Sequence, residues 1–340
     1  MSWCGRRCCC WEEIVAVVDE YFDLVIIGAG PAGLSAGVYA GRALLKTVVL
    51  EKGNVGGRAF TTGEIVNYPA IAQTTGPDLI AKMADHARSF GVEIRQQTVK
   101  GVDVSGEEKL VFTRKVAYHA KALIIATGTR AHKLGVPGEE EFVGRGVSYC
   151  ATCDAEFFKD QDVAVIGCGD QAIEESELIS KFARSVTIVS RREPGNLRCN
   201  ARSAARAAEN EKIRFECCST IASVNGGDEV ESITLKDVRN GEERELACQG
   251  VFFFTGADPE TEFLRGQVAC DEFGWLRAKD DMSLGVRGVF AAGDVREKYL
   301  RQVATAVSDG AVAATAADRY ITANFKRDKP DELLGLEASS

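Results

Sequence analysis

Two short glycine-rich stretches constrain this chain more than any other feature, because each stands between an apolar strand-like run and a helix-like run. The first is Gly28-Ala29-Gly30-Pro31-Ala32-Gly33, preceded by Tyr21 to Ile27 and followed by a helical pattern through Tyr39. The second is Gly167-Cys168-Gly169-Asp170-Gln171-Ala172, preceded by Val163 to Ile166 and followed by a helical pattern and the strand Ser185 to Val189. Such a turn opens a helix whose first N–H groups and positive dipole end face an anion, which is how a dinucleotide pyrophosphate is held. In the first copy Gly28 permits the tight turn, Gly30 lets backbone approach the phosphates, and Gly33 lets helix pack closely on strand.

The strands after these turns end differently. Lys46 to Leu50 runs into Glu51, about 20 residues past the glycines, where a carboxylate accepts hydrogen bonds from a ribose. Ser185 to Val189 runs into Ser190-Arg191-Arg192, and two guanidinium groups there suit a 2′-phosphate. The acidic end is therefore expected to hold FAD and the basic end NADPH. Leu123 to Gly128, Val251 to Gly256 and Gly288 to Asp294 each read as a buried strand opening into a glycine turn, and an alanine-rich helix is expected from about Gln302. Alternating β-branched runs and amphipathic helices predict an α/β fold with two Rossmann-like dinucleotide-binding domains.

Between the two glycine motifs lies Cys150-Ala151-Thr152-Cys153-Asp154, two thiols two residues apart with a carboxylate immediately after them. That spacing suits a reversible disulfide with its own acid, and a helix beginning at about Asp154 would lower the thiol pKa. A zinc half-site is the competing reading, but it needs a second pair at similar spacing. Cys217-Cys218 are adjacent, on an expected strand that points them to opposite faces. Cys168, Cys199, Cys248 and Cys270 are isolated and read as small buried hydrophobes or spectators. Cys4, Cys8, Cys9 and Cys10 have no histidine nearby and three are consecutive, so no metal is expected there. Residues 1–20 read as a tail or a misassigned start, and residues 326–340 as a polar tail.

Composition narrows the function classes. The 340 residues suffice for two domains, and a formal charge of −9 argues against nucleic acid, which asks for a basic face. No apolar run approaches the roughly 20 residues of a bilayer span. Twelve cysteines scattered through a chain of this length fit a reducing cytoplasm better than a secreted scaffold.

From residue 21 to about 325 the chain resembles the low-molecular-weight thioredoxin reductases. The resemblance rests on the first fingerprint, Gly56-Gly57, Asn67-Tyr68-Pro69, the Cys-Ala-Thr-Cys-Asp core, the second fingerprint with its arginines, and Gly293-Asp294 with Arg301-Gln302. It implies a discontinuous FAD domain, 21–132 and 257–325, with an inserted NADPH domain, 133–256, that carries the cysteine pair. It implies further that Gly28, Gly30, Pro31, Ala32, Gly33, Glu51, Gly57, Gly128, Gly293 and Asp294 line the FAD site. Asp294 would hold the ribityl chain, with Asn67, Arg301 and Gln302 near the isoalloxazine. Gly167, Gly169, Asp170, Gln171, Ala172, Arg191, Arg192 and Arg198 would line the NADPH site. Cys153 would face the flavin, Cys150 would attack the disulfide of a thioredoxin, and Asp154 would serve as the acid, in a homodimer.

The departures fall on the donor side. Gln171 stands where the family usually has a small hydroxyl residue, Cys168 and Arg58 are atypical, and Glu193 to Leu197 delay Arg198 by a two-residue insertion. They leave open a ferredoxin-dependent flavin thioredoxin reductase, an FAD-dependent dithiol oxidase, or a flavin or nucleotide sensor. The larger glutathione and lipoamide reductases use a histidine acid, but this chain has only His86, His119 and His132. His86 falls in a helical pattern with Leu79, Met83, Ala87 and Phe90, which suits helix packing or the surface.

Overall fold

The computed structural model describes residues 18–62 and 65–325, so the cysteine-rich start and the polar tail lie outside the described residues. The chain divides into two compact units, one running through Thr129 and resuming at Pro259, the other Arg130–Asp258.

In the first unit, strand β1 (Val18–Ile27) leads into helix α1 (Pro31–Arg42) and strand β2 (Thr47–Glu51). The short α2 (Gly57–Phe60), α3 (Gly76–Ser89), β3 (Glu93–Gln96), β4 (Gly101–Asp103), β5 (Lys109–Phe112) and β6 (Val116–Ile125) come next, and β7 (Thr129–Ala131) runs across the boundary into the second unit. β1 starts three residues earlier than the sequence suggested, because Val18, Asp19 and Glu20 pair with Val116, Ala117 and Tyr118 of β6. The last four residues of β1 are buried on both faces, as a central parallel strand requires.

The second unit contains β8 (Val147–Ser148), α4 (Ala151–Asp154), β9 (Asp162–Ile166), α5 (Asp170–Ser180), β10 (Ser185–Val189), α6 (Ala201–Glu209) and β11 (Ile213–Glu216). A meander of β12 (Ser219–Gly226), β13 (Val230–Asp237) and β14 (Glu243–Ala247) precedes β15 (Gly250–Phe253). Its parallel sheet has the order β11-β10-β9-β15-β8. Cys217 and Cys218 are not on a strand, contrary to the expectation from sequence. They form the turn between β11 and β12, where Cys218 takes a φ of 54°.

The chain returns through β16 (Ala257–Pro259) to β17 (Val289–Ala291) and the long α7 (Val303–Asn324). β17 pairs in parallel with β6 and completes the first unit's sheet, ordered β3-β2-β1-β6-β5-β4 along its main path. α1 and α7 cover one face around Leu34, Ile124, Ala313 and Ile321, and the other face buries Val25, Leu50, Val111 and Leu264. In both units the glycine turn sits at the carboxyl end of the central strand, where open α/β sheets bind ligands. No helix among the described residues is long and apolar enough to cross a membrane.

Candidate functional site

The turn after β1 is closed by Gly28 N–H donating to Leu50 O at 2.8 Å. Gly28 has a φ of 104°, and a Cβ on it would lie 2.3 Å from Ala126 O. Gly33 is constrained harder, since a Cβ there would lie 1.8 Å from Gly28 O. α1 starts with Gly30 as its cap and Pro31 in its first turn, and no side chain caps it. Its first N–H groups thus face the turn open to an anion. Glu51 is buried, and its carboxylate accepts from Ala29 N at 2.8 Å and Gly53 N at 2.9 Å, so the acid braces the loop that it adjoins.

Distant segments complete this site. Asn67 Nδ2 donates to Gln302 Oε1 at 3.1 Å across 235 residues of sequence, and Gln302 also caps α7. Arg301 stacks on the Trp275 ring at 3.9 Å and donates to Asp294 O at 3.5 Å. Arg58 donates to Thr129 Oγ1 at 3.1 Å. Asp294 Oδ1 is buried and accepts no hydrogen bond from the described residues. Burial pushes its carboxyl pKa up, against the pull of Lys298, Arg301 and Arg58. A buried acceptor left open beside a bare helix N-terminus fits the hydroxyls of a dinucleotide's sugar chain. Asp309 was not singled out in the sequence, yet it is buried, accepts Gly293 N at 3.0 Å and pairs with Lys298 at 2.8 Å. An acid inside an alanine-rich helix was its only signal.

In the second unit, Gly167 N donates to Val189 O at 3.1 Å, the same closure as in the first. A cavity of about 520 Å³ opens there, lined by the turn from Gly167 through Ala172 together with Arg191, Arg192 and Arg198. None of these three guanidinium groups is ion-paired among the described residues. The two-residue insertion does not carry Arg198 away. Its backbone bridges Gly169, and Arg198 N donates to Cys168 O at 3.0 Å. Asp170 accepts Asn200 N at 2.5 Å, fixing the same loop from the other side.

The cysteine pair lies in this unit as a Cys150–Cys153 disulfide with Cα atoms 5.4 Å apart. The helix begins at the pair rather than at Asp154, with Cys150 as its cap, and it is one turn long. Its dipole is correspondingly small. Instead, one discrete bond polarises the sulfur: Cys153 N donates to Cys150 Sγ at 3.2 Å. Ser148, missed in the sequence, joins the backbone of Cys150 to the acid. Its buried hydroxyl accepts Cys150 N at 3.0 Å and donates to Asp154 Oδ2 at 2.6 Å. A lone hydroxyl at the end of an apolar strand, two residues before the first cysteine, is the signal that could have found it.

The isolated thiols differ in burial. Cys248 is buried and its pKa is pushed up to about 12 by that burial, whereas Cys270 is exposed. His86 is exposed on α3 and tilts against Phe90, well away from any cysteine in sequence.

Residues 22–310 match the family model described as pyridine nucleotide-disulphide oxidoreductase. A thioredoxin reductase of Peptoclostridium acidaminophilum is 43% identical over 316 residues, 91% of this chain and 100% of that protein. The thioredoxin reductase of Bacillus subtilis is 42% identical, over 89% of this chain and 96% of its own. The crystal structure of Lactococcus lactis thioredoxin reductase superposes with a TM-score of 0.86 at 42% identity, covering 89% of this chain and 99% of that one.

Proposed function

The chain belongs to the pyridine nucleotide-disulphide oxidoreductase family, among its thioredoxin reductases, and from that membership we propose that it reduces thioredoxin at the expense of NADPH through FAD and the Cys150–Cys153 disulfide. The observation that carries the donor assignment is the second-unit cavity, in which Arg191, Arg192 and Arg198 converge on an intact glycine turn with no carboxylate partner of their own. Three such groups suit the added phosphate of NADPH. FAD is assigned to the first unit on the open acceptor of Asp294 and the braced turn beside Glu51.

Bound flavin would supply a two-electron store between a hydride donor and a disulfide. The chain's own residues do the rest. Two electrons open the Cys150–Cys153 bond, leaving a thiolate at each sulfur to be protonated or to attack. Asp154, held by Ser148, is placed to give a proton to the leaving thiolate. Cys150 attacks one sulfur of the thioredoxin disulfide and expels the other as thiolate, forming a mixed disulfide. Cys153 then attacks Cys150, releasing dithiol thioredoxin and restoring the starting disulfide. The six free cysteines among the described residues support a reducing, cytoplasmic setting, and the homodimer is carried over only as what the sequence resemblance implies.

An anaerobic titration with NADPH, NADH and dithionite-reduced ferredoxin, read at the flavin's visible band, tests the donor. Bleaching by NADPH coupled to thioredoxin reduction is expected. Bleaching by ferredoxin alone would move the assignment to the ferredoxin-dependent enzymes, and oxygen uptake with a dithiol in the absence of thioredoxin would move it to the oxidases. Cys150→Ser and Cys153→Ser should each abolish thioredoxin reduction with flavin content unchanged. Activity in either variant sinks the relay.

A further inference from the structure

Four charged side chains of the first unit pack together beside its glycine turn, and they balance two against two. Lys298 Nζ lies 2.8 Å from Asp309 Oδ2 and 3.9 Å from Asp294 Oδ1, and Arg296 Nε lies 3.5 Å from the same oxygen of Asp309. Only 6% of the Lys298 side chain and 10% of that of Asp309 remain accessible, so water does little to screen the pair. The place of Asp309 is fixed by its neighbour. A Cβ on Gly310 would lie 2.1 Å from Ala32 O, so α7 meets α1 backbone to backbone one residue after the acid. Asp309 in turn accepts from Gly293 N at 3.0 Å, which ties the peptide before Asp294 to α7.

The two acids are not equally supported. Asp309 has a backbone N–H and two cations within 3.5 Å, whereas Asp294 Oδ1 accepts no hydrogen bond from the described residues. Burial pushes the pKa of Asp294 up. Among the groups that oppose this Lys298 acts most strongly, ahead of Arg301 and Arg58, while the charge of Asp309 adds to the rise. Without the Lys298 charge two carboxylates would share one guanidinium, and Asp294, the less supported, would take a proton first. Without the Asp309 charge, Lys298 would keep Asp294 as its ion-pair partner, and Asp294 would stay charged to lower pH. Charged, Asp294 offers both oxygens as acceptors to sugar hydroxyls, whereas protonation turns one of them into a donor.

We propose that Lys298 and Asp309 are positioning residues for the flavin. Lys298 keeps the Asp294 carboxylate charged for the sugar chain and Asp309 restrains Lys298, so that together they set the acidity at which the chain lets go of FAD. This rests on the assignment of FAD to the first unit.

Serial dilution of the holoprotein between pH 4.5 and 8, read by the fluorescence of released flavin, gives the dissociation constant of FAD at each pH and the pH at which it starts to climb. Far-ultraviolet circular dichroism on the same samples separates release from unfolding. Lys298→Met is expected to move that break up by about 1 pH unit, and Asp309→Asn, which keeps an oxygen to accept Gly293 N, to move it down by about 0.5. Asp294→Asn should bind flavin more weakly throughout and lose the break. Breaks that move the same way in Lys298→Met and Asp309→Asn, or affinity lowered equally at every pH with the break unmoved, would show that the pair merely braces α7 and would overturn the proposal. Should Lys298→Met not fold, Asp309→Asn decides alone, a downward break supporting the proposal and an unmoved one overturning it. Wild-type protein that holds no flavin would sink the FAD assignment itself, whereas flavin-loaded wild type with unmoved variants sinks this inference alone.

Discussion

The two glycine turns share one backbone plan and differ in how tightly they are built. In the first, Gly33 meets Gly28 O so closely that no side chain fits, and a buried carboxylate, Glu51, ties Ala29 N and Gly53 N to the strand end. In the second, Ala172 carries a methyl group where the first has Gly33, and Ser190 stands where the first has Glu51. The hydroxyl of Ser190 accepts Arg192 N at 3.1 Å, just as Glu51 accepts Gly53 N two residues on. The same position thus braces the same peptide with a charge in one unit and without it in the other. A negative charge there orders ribose hydroxyls and repels a 2′-phosphate. Under the proposed function, removing it and adding Arg191 and Arg192 would reverse the preference.

The largest expected effect comes from forcing the first turn to resemble the second. Gly33→Ala should cost roughly 3 kcal/mol and most of the bound flavin, because the methyl meets backbone rather than a movable side chain. The converse change, Ala172→Gly, should cost about 1.5 kcal/mol through helix propensity and the loss of one buried methyl. Denaturant unfolding with flavin release separates the two, and equal costs would break the comparison. Next, Arg191→Ala with Arg192→Ala should raise KM for NADPH about 100-fold, as two charge-assisted contacts are lost, while KM for NADH stays within about twofold. Steady-state kinetics with both donors decides, and a parallel rise for NADH would make the arginines unspecific.

A smaller effect is expected at the acid itself. Glu51→Gln keeps the shape but removes the charge from two backbone donors, and flavin affinity of the apoprotein should fall about tenfold. Fluorescence titration with FAD measures it. Ser190→Gln should leave flavin affinity unchanged, since that residue serves the other turn.

The smallest expected effects give the units opposite pH signs. In the first unit, burial lowers the pKa of His119, but hydrogen bonds to Glu108 and Asp19 outweigh it and raise it above 6.5. That pairing stabilises fully below the unfolded value and is lost as pH rises through the folded one. In the second unit, Arg184 holds Asp162 below 3.8, so its contribution is present above that value and lost as pH falls through the folded pKa. Each should amount to about 0.5 kcal/mol at these partly exposed sites. Thermal melts of His119→Gln between pH 6 and 8, and of Asp162→Asn between pH 3 and 6, should flatten one slope each.

Much of this was legible from short-range pattern. Strand, glycine turn and helix are contiguous, so Gly28 to Glu51 and Gly167 to Arg192 could be placed from spacing alone. Errors arose where a residue's conformation depends on what it returns to. Val18 to Glu20 look polar and terminal, but β6 supplies a pairing edge that makes them strand. Cys217 and Cys218 have the β-like neighbours of a strand but sit at the point where the chain reverses. The helix at the cysteine pair starts earlier than its sequence suggested, and Ser148 gains its role only because β8 ends beside Asp154.

By itself the sequence determined the two dinucleotide turns, the unlike charges at their strand ends and the thiol pair between them, because each is written within a few residues of local geometry. Only the tertiary structure decided that Asn67 meets Gln302 across 235 residues, that Arg198 returns to Cys168 despite its delay, and that Asp309 and Lys298 form a buried pair against Gly293. Those contacts join segments with no shared periodicity. The side chains that make them are chosen by where the folded sheet brings them together, and linear spacing carries no record of that.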